Sequence, residues 1–452
     1  MTPPVTTDTP ISTDTSGGAP PSDAVAAVSR RRRRLLMALA FFGPGIIVML
    51  ADGDAGCLIT AAQSGAEWGY RLILPQLLLI PVLFMVQEMT ARLGILTGRG
   101  HGALIRERFG RGWAIVSAAP MIVSAIGTLV VEFVGVAGVG ELFGISRWVT
   151  VPTATAFLIG LAIGPRYRRI ERVGIAVGLA ELAFVPAMLL AHPHPAQVLS
   201  QLGSQPLGDS SYLTLLAATV GAVIMPWMIF YQQGAYQQAG QAPLPPQPGG
   251  AADPGRVRFR LRRARQDTFA GAVLTQGIMI SVIVAMAATI GRVNPGAALT
   301  SVGQIAGALG HYLGTGQARI LVGAAILGGA LVSALVVSLA GAWGLAEVFG
   351  WKHSLNDKPS RRNASFYITY SLAHIAGAVL VLASVDLISL AVDVEVLNAL
   401  MLPLVLGFLL VLEARALPAQ YRVRGVRRAI VTGTCAIVMA FGVYMIIPTL
   451  GL

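Results

Sequence analysis

Asp52-Gly53-Asp54-Ala55-Gly56 interrupts an apolar run that extends from Leu35 to Ala51 and resumes at Cys57. About 20 apolar residues suffice to cross the hydrocarbon core of a bilayer, so the run taken as a whole reads as a membrane span. An isolated carboxylate in mid-bilayer costs at least about 2.5–3.5 kcal/mol on insertion scales. Two of them, two residues apart, therefore need a compensating partner, and the natural one is a cation. Gly53 and Gly56, flanking Asp54, let the helix unwind. Unwound backbone at membrane depth is tolerated only where it is buried in protein or lines a cavity. The stretch thus presents carboxylate and carbonyl oxygens to a passing ion.

The rest of the chain agrees with a membrane setting. Of the 452 residues 55% are hydrophobic and 12% charged, against about 25% charged in a soluble globular chain, and the mean hydropathy is +0.69. Runs of about 20 mostly apolar residues begin near Leu35, Leu72, Trp113, Val149, Val173, Tyr212, Phe269, Ile320, Phe366, Val392 and Ala429. These eleven segments fill most of the chain and leave no room for a large soluble domain. The fold class expected is an all-α integral membrane protein of eleven transmembrane helices.

A net charge of +12 raises the question of nucleic acid, but the positions of the basic residues answer it differently. Of the 33 Lys and Arg, 29 fall in clusters at Arg30–Arg34, Arg92–Arg111, Arg166–Arg172, Arg256–Arg265, Lys352–Arg362 and Arg415–Arg428. Every cluster lies before the first segment or after an even-numbered one, and the other side holds only Arg71, Arg147, Arg292 and Arg319. That is the positive-inside pattern. It predicts a cytoplasmic amino terminus, an extracytoplasmic carboxyl terminus and an odd number of spans. A nucleic-acid face would instead be one basic patch interleaved with aromatic or polar readers.

Residues 1–29 are rich in Thr, Pro, Ser, Gly and Ala and are read as a disordered cytoplasmic tail. The transporter domain is expected over 30–452, and no cleavage site of the signal-peptide kind follows Arg30–Arg34. A Pro/Gly/Arg-rich linker from Gln241 to Arg265 joins two halves. Cys57 and Cys435 are the two cysteines, too few for a disulfide framework. Cys57 reads either as a small packing residue or as part of the ion site one turn beyond Asp54.

Transporters built from inverted repeats carry interrupted helices at matching positions in their two halves. A second interruption is present in the sixth segment, Val220-Gly221-Ala222-Val223-Ile224-Met225-Pro226-Trp227-Met228. Proline lacks an amide hydrogen and clashes with the carbonyl four residues back, which frees carbonyls near Ala222 and Val223. A lone proline kink is common in membrane helices. A break in segment six paired with one in segment one, on either side of the linker, is not.

With these residues in view, the chain resembles the NRAMP family of divalent-metal transporters, the natural resistance-associated macrophage proteins, over roughly Gly43 to the end. The likeness rests on Gly43-Pro44-Gly45, on Asp54 through Gln63-Ser64-Gly65-Ala66-Glu67-Trp68-Gly69-Tyr70, and on Ala91-Arg92-Leu93-Gly94 with Thr97-Gly98. The family's first segment carries Asp-Pro-Gly-Asn, which falls on Asp54, Ala55, Gly56 and Cys57. Its sixth carries Met-Pro-His, which falls on Met225, Pro226 and Trp227, with Ala222 also matching. The resemblance implies a LeuT-like inverted repeat with broken helices 1 and 6, a first repeat over 35–192, a second over 211–413, and an extra helix over 427–450. It implies metal ligands at Asp54, Ala222 and Met225 and, at the asparagine position, Cys57, and the acidic break itself adds Asp52.

The departures narrow the likeness. Asp52 beside Asp54, the missing asparagine and the missing histidine look like the divergent prokaryotic branch called NRAMP-related magnesium transporters. Other members carry paired acids in the third segment. Here Glu132 matches the first and Gly135 stands at the second, so with Trp227 in place of histidine the usual proton route is incomplete. Trp227, Glu132 and Glu395, with Asp393 adjacent to Glu395, are the pathway candidates. Asp52, Asp54 and backbone carbonyls make a hard oxygen site suited to magnesium, manganese or calcium, whereas Met225 and Cys57 would add soft sulfur suited to iron, manganese or cadmium.

Other ionisable residues read as follows. Glu88 and Arg92 are one turn apart and form an ion pair. Glu181 could line an aqueous path or pair with a neighbouring helix. His374 reads as packing, His192 and His194 as solvated, and Gly329, Ser333, Ala334 and Ser338 as helix-packing positions. The function expected is uptake of a divalent cation, Mg2+ or Mn2+, across the bacterial inner membrane by alternating access, with weak or absent proton coupling. The metal is cargo and no cofactor is expected; the partners are the ion and the lipid bilayer. A sodium-coupled organic-solute carrier of the same architecture is the alternative, disfavoured by the acids at the site. An intramembrane enzyme is disfavoured because no HExxH motif occurs and the two aspartates share one helix break.

Overall fold

The computed structural model describes residues 44–163, 179–238, 254–351, 360–361 and 363–449. The amino-terminal tail, Arg30–Arg34, the start of the first segment, the linker up to residue 253, the beginning of the segment near Val173 and all of Lys352–Arg362 except Ser360 and Arg361 lie outside the described residues.

Among the described residues every regular element is helical. α1 (Pro44–Asp52) and α2 (Ala55–Trp68) are the two halves of one bent span, with 50° between them. They are followed by α3 (Ile73–Thr97), the short α4 (His101–Phe109), α5 (Arg111–Leu142) and α6 (Arg147–Ile163). A 3-10 turn at Leu179–Ala183 leads into α7 (Phe184–Leu190), and α8 (Pro195–Leu202) lies in the connection that follows. The second half holds α9 (Ser210–Val223), α10 (Pro226–Gln238), α11 (Pro254–Ala288), α12 (Ile290–Val293), α13 (Val302–Leu313), α14 (Thr315–Phe349), α15 (Ala364–Ala383), α16 (Leu387–Ala416) and α17 (Gly425–Thr449). Among the described residues eight stretches are long and apolar enough to cross a membrane, or nine with the bent α1–α2 pair. The expected segment near Val149 meets α6, 17 residues long, and the one near Val173 begins among residues 164–178, which are outside the description.

Helix ends follow local chemistry. Asp209 accepts from the amides of Ser211 and Tyr212 at the start of α9, and Asp386 does the same for Ile388 and Ser389 at the start of α16. Gly98 and Gly350 close α3 and α14 in the left-handed conformation, a role glycine fills without strain.

Burial sorts the helices by depth. The α9–α10 span is 83% buried over its most apolar window, whereas α17 is 28% buried, so the first sits at the bundle centre and the second presents most of its side chains to lipid. α14 packs along α5, α9 along α16, and α11 along α1, α2 and α3. The central position is thus shared by the two interrupted spans.

Candidate metal centre

α1 stops at Asp52 because the backbone turns extended at Asp54 (φ −78°, ψ 178°), and α2 starts one residue later. Asp54 is the N-cap of α2: its Oδ1 accepts from the amide of Cys57 at 2.7 Å. Glu132, from α5, accepts from the amide of Ala55 through Oε2 at 3.4 Å. Two carboxylates therefore satisfy amides that open α2, where the helix dipole favours negative charge. Below the break, the carbonyl of Met49 is held by Thr275 Oγ1 of α11 at 2.7 Å.

The interruption in α9–α10 has a different cause. Pro226 has no amide to offer Ala222, its acceptor four residues back, and the backbone at Ile224 is extended (φ −129°, ψ 94°). The freed carbonyl of Ala222 accepts from the thiol of Cys57 at 3.1 Å. That bond ties the two interruptions to each other. A cavity of about 10 Å3, room for roughly one water, adjoins them between Cys57, Thr60, Gln76, Thr219, Ala222 and Met279.

Two further acids, Glu395 and Glu181, converge on the first break. Glu395 of α16 is oriented by Asn398 Nδ2, which donates to its Oε2 at 3.0 Å, and Asn398 in turn accepts from Ser124 of α5 at 2.7 Å. Its other oxygen, Oε1, lies over Gly56, only 2.3 Å from where a Cβ would stand. Glu181, from the 3-10 turn, lies over Gly53 in the same way, with Oε2 2.4 Å from the missing Cβ. A side chain at 53 would have to push the Glu181 carboxylate aside, and one at 56 both the Glu395 carboxylate and Val131, so glycine at these positions lets the carboxylates approach the bend. Asp52, Asp54 and Glu395 are fully buried and Glu132 and Glu181 are 1% exposed. Each has an oxygen with no hydrogen-bond partner, and Asp52 has two. Among the described residues none of the five is in an ion pair, and no three acidic, His or Cys side chains stand where they could hold one metal ion together.

Several expected site residues have other engagements. The Met225 sulfur accepts from Trp227 Nε1 at 2.9 Å and from Thr128 Oγ1 at 3.7 Å. Both thioether lone pairs are used, so Met225 is not offered to the carboxylates in this arrangement. Trp227 is fully buried and its indole N–H is spent on that sulfur. Asp393 is exposed, on the face of α16 away from the buried Glu395. A Cβ at Gly135 would stand 2.5 Å from that of Ala55, which leaves no room for a second acid there.

The remaining ionisable residues are accounted for structurally. Glu88 and Arg92 pair at 3.7 Å, and the pair is extended by Glu413 and Arg427 into a network joining α3, α16 and α17. His374 is buried with Nδ1 against the Tyr370 carbonyl at 2.9 Å, and His192 and His194 are exposed. Ser338 bonds back to its own helix at Ala334. Gly329 and Glu181 are the residues whose place at the centre sequence reasoning undervalued: Gly329 of α14 adjoins Glu181, Gly53 and Asp54 rather than a neighbouring apolar helix.

The model of the family described as natural resistance-associated macrophage protein-like matches residues 45–448. The chain belongs to this family. The divalent metal cation transporter MntH of Acidiphilium cryptum is 26% identical over 419 residues, covering 91% of each chain. Alignments with several further proteins of that name span about half of those relatives' length. Among solved structures, a manganese transporter of Eremococcus coleocola superposes with a TM-score of 0.73 at 21% identity, over 89% of this chain and 85% of that one. A nucleobase-cation-symport-1 family transporter superposes with a TM-score of 0.57 at 15% identity, over 90% of each. At these identities the structural likenesses establish the NRAMP fold and its wider architectural class. The break at Asp52–Asp54, the Pro226 interruption and the acids around them fall inside the matched region.

Proposed function

We propose that this NRAMP-family chain carries divalent metal cations, Mn2+ or Mg2+, across the bacterial inner membrane, inward, by alternating access about the two interrupted spans. The observation that carries the reading is the convergence of five buried carboxylates on the Asp52–Asp54 break, each with an unpartnered oxygen and none paired with Lys or Arg. Among the described residues these acids have no counter-charge; a buried carboxyl in that position either keeps its proton or takes up a cation, and five of them together support a cation from outside the chain as the partner. The relatives' names, divalent metal cation transporter and manganese transporter, support the same class of cargo.

Asp54 and Asp52 are the principal ligands in this reading, with the carbonyl of Ala222 opposite and Glu132 and Glu395 supplying further negative charge. Met225 and Cys57 line the site rather than ligate, since the sulfur of one and the thiol hydrogen of the other are spent on Trp227 and Ala222. The donors left are oxygens, which suit hard ions such as Mg2+ and Mn2+ over soft ones such as Cd2+. Interruptions tied by one thiol–carbonyl bond let the halves of each span tilt independently, which supports the LeuT-like inverted repeat with breaks in spans 1 and 6. With Trp227 at the histidine position and Gly135 at the second acid, proton coupling is weak or absent. The test is flux of Mg2+, Mn2+, Ca2+ and Cd2+ into proteoliposomes with internal pH recorded. Mn2+ or Mg2+ entry without matching acidification is expected; entry that carries protons in fixed ratio contradicts the uncoupled reading, and no divalent flux from monodisperse protein contradicts the whole.

A further inference from the structure

We infer that the cleft where α16 ends and α17 begins binds an anionic phospholipid, its phosphate held by Arg415 and Arg428 and its acyl chains laid in the groove between the two helices. The cavity there, about 290 Å3, is lined from α3, α16, α17 and the loop joining the last two, and lies near the lower end of the roughly 300–1,000 Å3 of small-molecule sites. Its inner wall holds the buried Met89, Val423 and Val431. Its open side is formed by Val411, Arg415, Arg428 and Thr432, all exposed. Val411 stands five residues before the end of α16 and Thr432 seven after the start of α17, so at 1.5 Å per residue the cleft reaches about 7–10 Å from the helix ends into the spans. An occupant charged at one end and apolar at the other fits that depth.

The second observation is how the charges around the cleft are partnered. Of the arginines from Arg415 to Arg428, Arg427 pairs with Glu88 at 2.8 Å, Arg422 Nε donates to the Leu417 carbonyl at 2.7 Å, and Arg424 donates to the Ala419 carbonyl at 2.6 Å. Glu413, the acid in the lining, accepts from the amide of Val423 at 2.6 Å and faces Arg92 at 3.8 Å. Glu88 and Glu413 thus stand against Arg92 and Arg427, and the four charges cancel. Arg415 and Arg428 are left over. Among the described residues neither has an ion pair or a side-chain hydrogen bond, and both line the cleft. The positive-inside pattern accounts for a basic end of the bundle, but not for two unpartnered arginines sharing one apolar-walled cavity. Guanidinium forks suit phosphate oxygens, and basic pockets between spans take anionic headgroups. The acyl chains have a surface to follow. On α16, Leu404 and Val411 are exposed on the face that carries Arg415, and on α17 the exposed Val443 lies three turns along from Thr432.

The experiment is native mass spectrometry and thermal unfolding of the purified full-length protein in detergent, with phosphatidylglycerol, phosphatidylcholine or glycerol phosphate added. Wild type is expected to retain one phosphatidylglycerol per chain in preference to phosphatidylcholine, and to melt at a higher temperature with it, since a ligand that binds only the folded state stabilises that state. Arg415→Gln combined with Arg428→Gln should weaken phosphatidylglycerol binding by about 30-fold, the usual contribution of a basic residue at an anionic lipid surface taken twice. Arg422→Gln combined with Arg424→Gln removes the same charge from outside the cleft and should leave binding close to wild type. Thr432→Trp keeps every charge and fills the cleft, and binding should fall as in the first pair; all variants are checked for monodispersity. Wild-type binding in the Arg415/Arg428 pair or in Thr432→Trp overturns the site. Equal loss in the Arg422/Arg424 pair, or no preference over phosphatidylcholine, overturns it too, because the effect is then one of net charge or of lipid in general. Glycerol phosphate that binds as tightly as the lipid overturns the phospholipid as occupant. None of these outcomes bears on the cargo, which flux tests separately.

Discussion

The two interrupted spans reach the bundle centre by opposite means. The first, between α1 and α2, is acidic and glycine-rich, and its bend is held by carboxylates: Asp54 and Glu132 take amides of α2, while Glu181 and Glu395 press on Gly53 and Gly56. The second, between α9 and α10, has no charge of its own. Proline breaks its ladder, a sulfur–indole contact fills its bend, and its contribution is the carbonyl at Ala222. One interruption holds charge and the other supplies a neutral wall with an oxygen in it. Substitutions at the first should therefore act on the ion, and substitutions at the second on packing.

The largest effect is expected at Asp54. Asp54→Ala removes a buried charge and the N-cap of α2, and Mn2+ flux in proteoliposomes should fall by about 100-fold or more, with the protein still monodisperse. A cap alone is worth only about 0.5–2 kcal/mol, too little to unfold a bundle of this size. Flux close to wild type in this variant would mean that the acids at the first break do not meet the ion.

At the second break the counterpart is Gly221→Ala. A Cβ there would stand only 1.8 Å from the Glu395 carbonyl oxygen and 2.8 Å from the Ala399 amide, both backbone atoms of α16 that cannot move aside as a side chain could. Overpacking of this kind typically costs about 1–3 kcal/mol. The melting temperature should drop by several degrees, and what flux remains should keep the wild-type preference among ions. A change in ion preference without loss of stability would erase the contrast between the two breaks.

The α10 arm of the second span is also tethered by α4, a helix too short to be a span itself. His101, at the start of α4, is fully buried, its Nδ1 lies 2.9 Å from Gln233 Oε1 on α10, and its ring packs on Phe230. Gln233 Nε2 donates to the Arg99 carbonyl, so Gln233 Oε1 is the acceptor and His101 Nδ1 carries the proton. Burial lowers the His101 pKa from 6.5 to about 4, against a smaller opposing effect of the Gln233 bond. A base whose folded pKa lies below its unfolded value gives stability that is fully present above the unfolded pKa and is lost as pH falls from about 6.5 towards 4, where the unfolded chain takes up the proton first. The melting temperature should decline over that window, and His101→Gln should flatten the decline relative to wild type. An identical slope in the variant would assign the acid sensitivity to other groups.

The first interruption was legible in sequence because charge inside an apolar run is costly wherever the chain folds, and the second because proline removes a hydrogen bond locally. Positions set by local chemistry can be read without coordinates. Glu181 and Gly329 could not be: each is a single residue in an apolar run, and its meaning comes from standing opposite Gly53 in another element. Nine of the eleven expected segments meet described stretches long and apolar enough to span; the segment near Val149 meets the 17-residue α6, and the one near Val173 begins among residues 164–178, outside the description. Met225 is engaged away from the carboxylates in this arrangement for a geometric reason. Residues two apart on a helix do not face each other, but the extended backbone at Ile224 ends α9 and lets Trp227 reach the sulfur.

That contact yields the smallest effect and the sharpest discrimination. Met225→Leu conserves volume, which usually costs under about 1.5 kcal/mol, but strands the buried indole N–H of Trp227, worth about 1–3 kcal/mol when left unpaired. The melting temperature should fall by a few degrees. If the sulfur is committed to Trp227 and Thr128 throughout the cycle, the ratio of Cd2+ to Mn2+ uptake should change by less than about 3-fold. A sulfur that turns to the ion in another conformation would instead contribute preferentially to the soft metal, and its loss should cut Cd2+ uptake by about 10-fold or more while sparing Mn2+, the free-energy equivalent of about 1.4 kcal/mol. Competition of the two ions in proteoliposomes of the variant decides between a wall that stays neutral and one that takes part in selection.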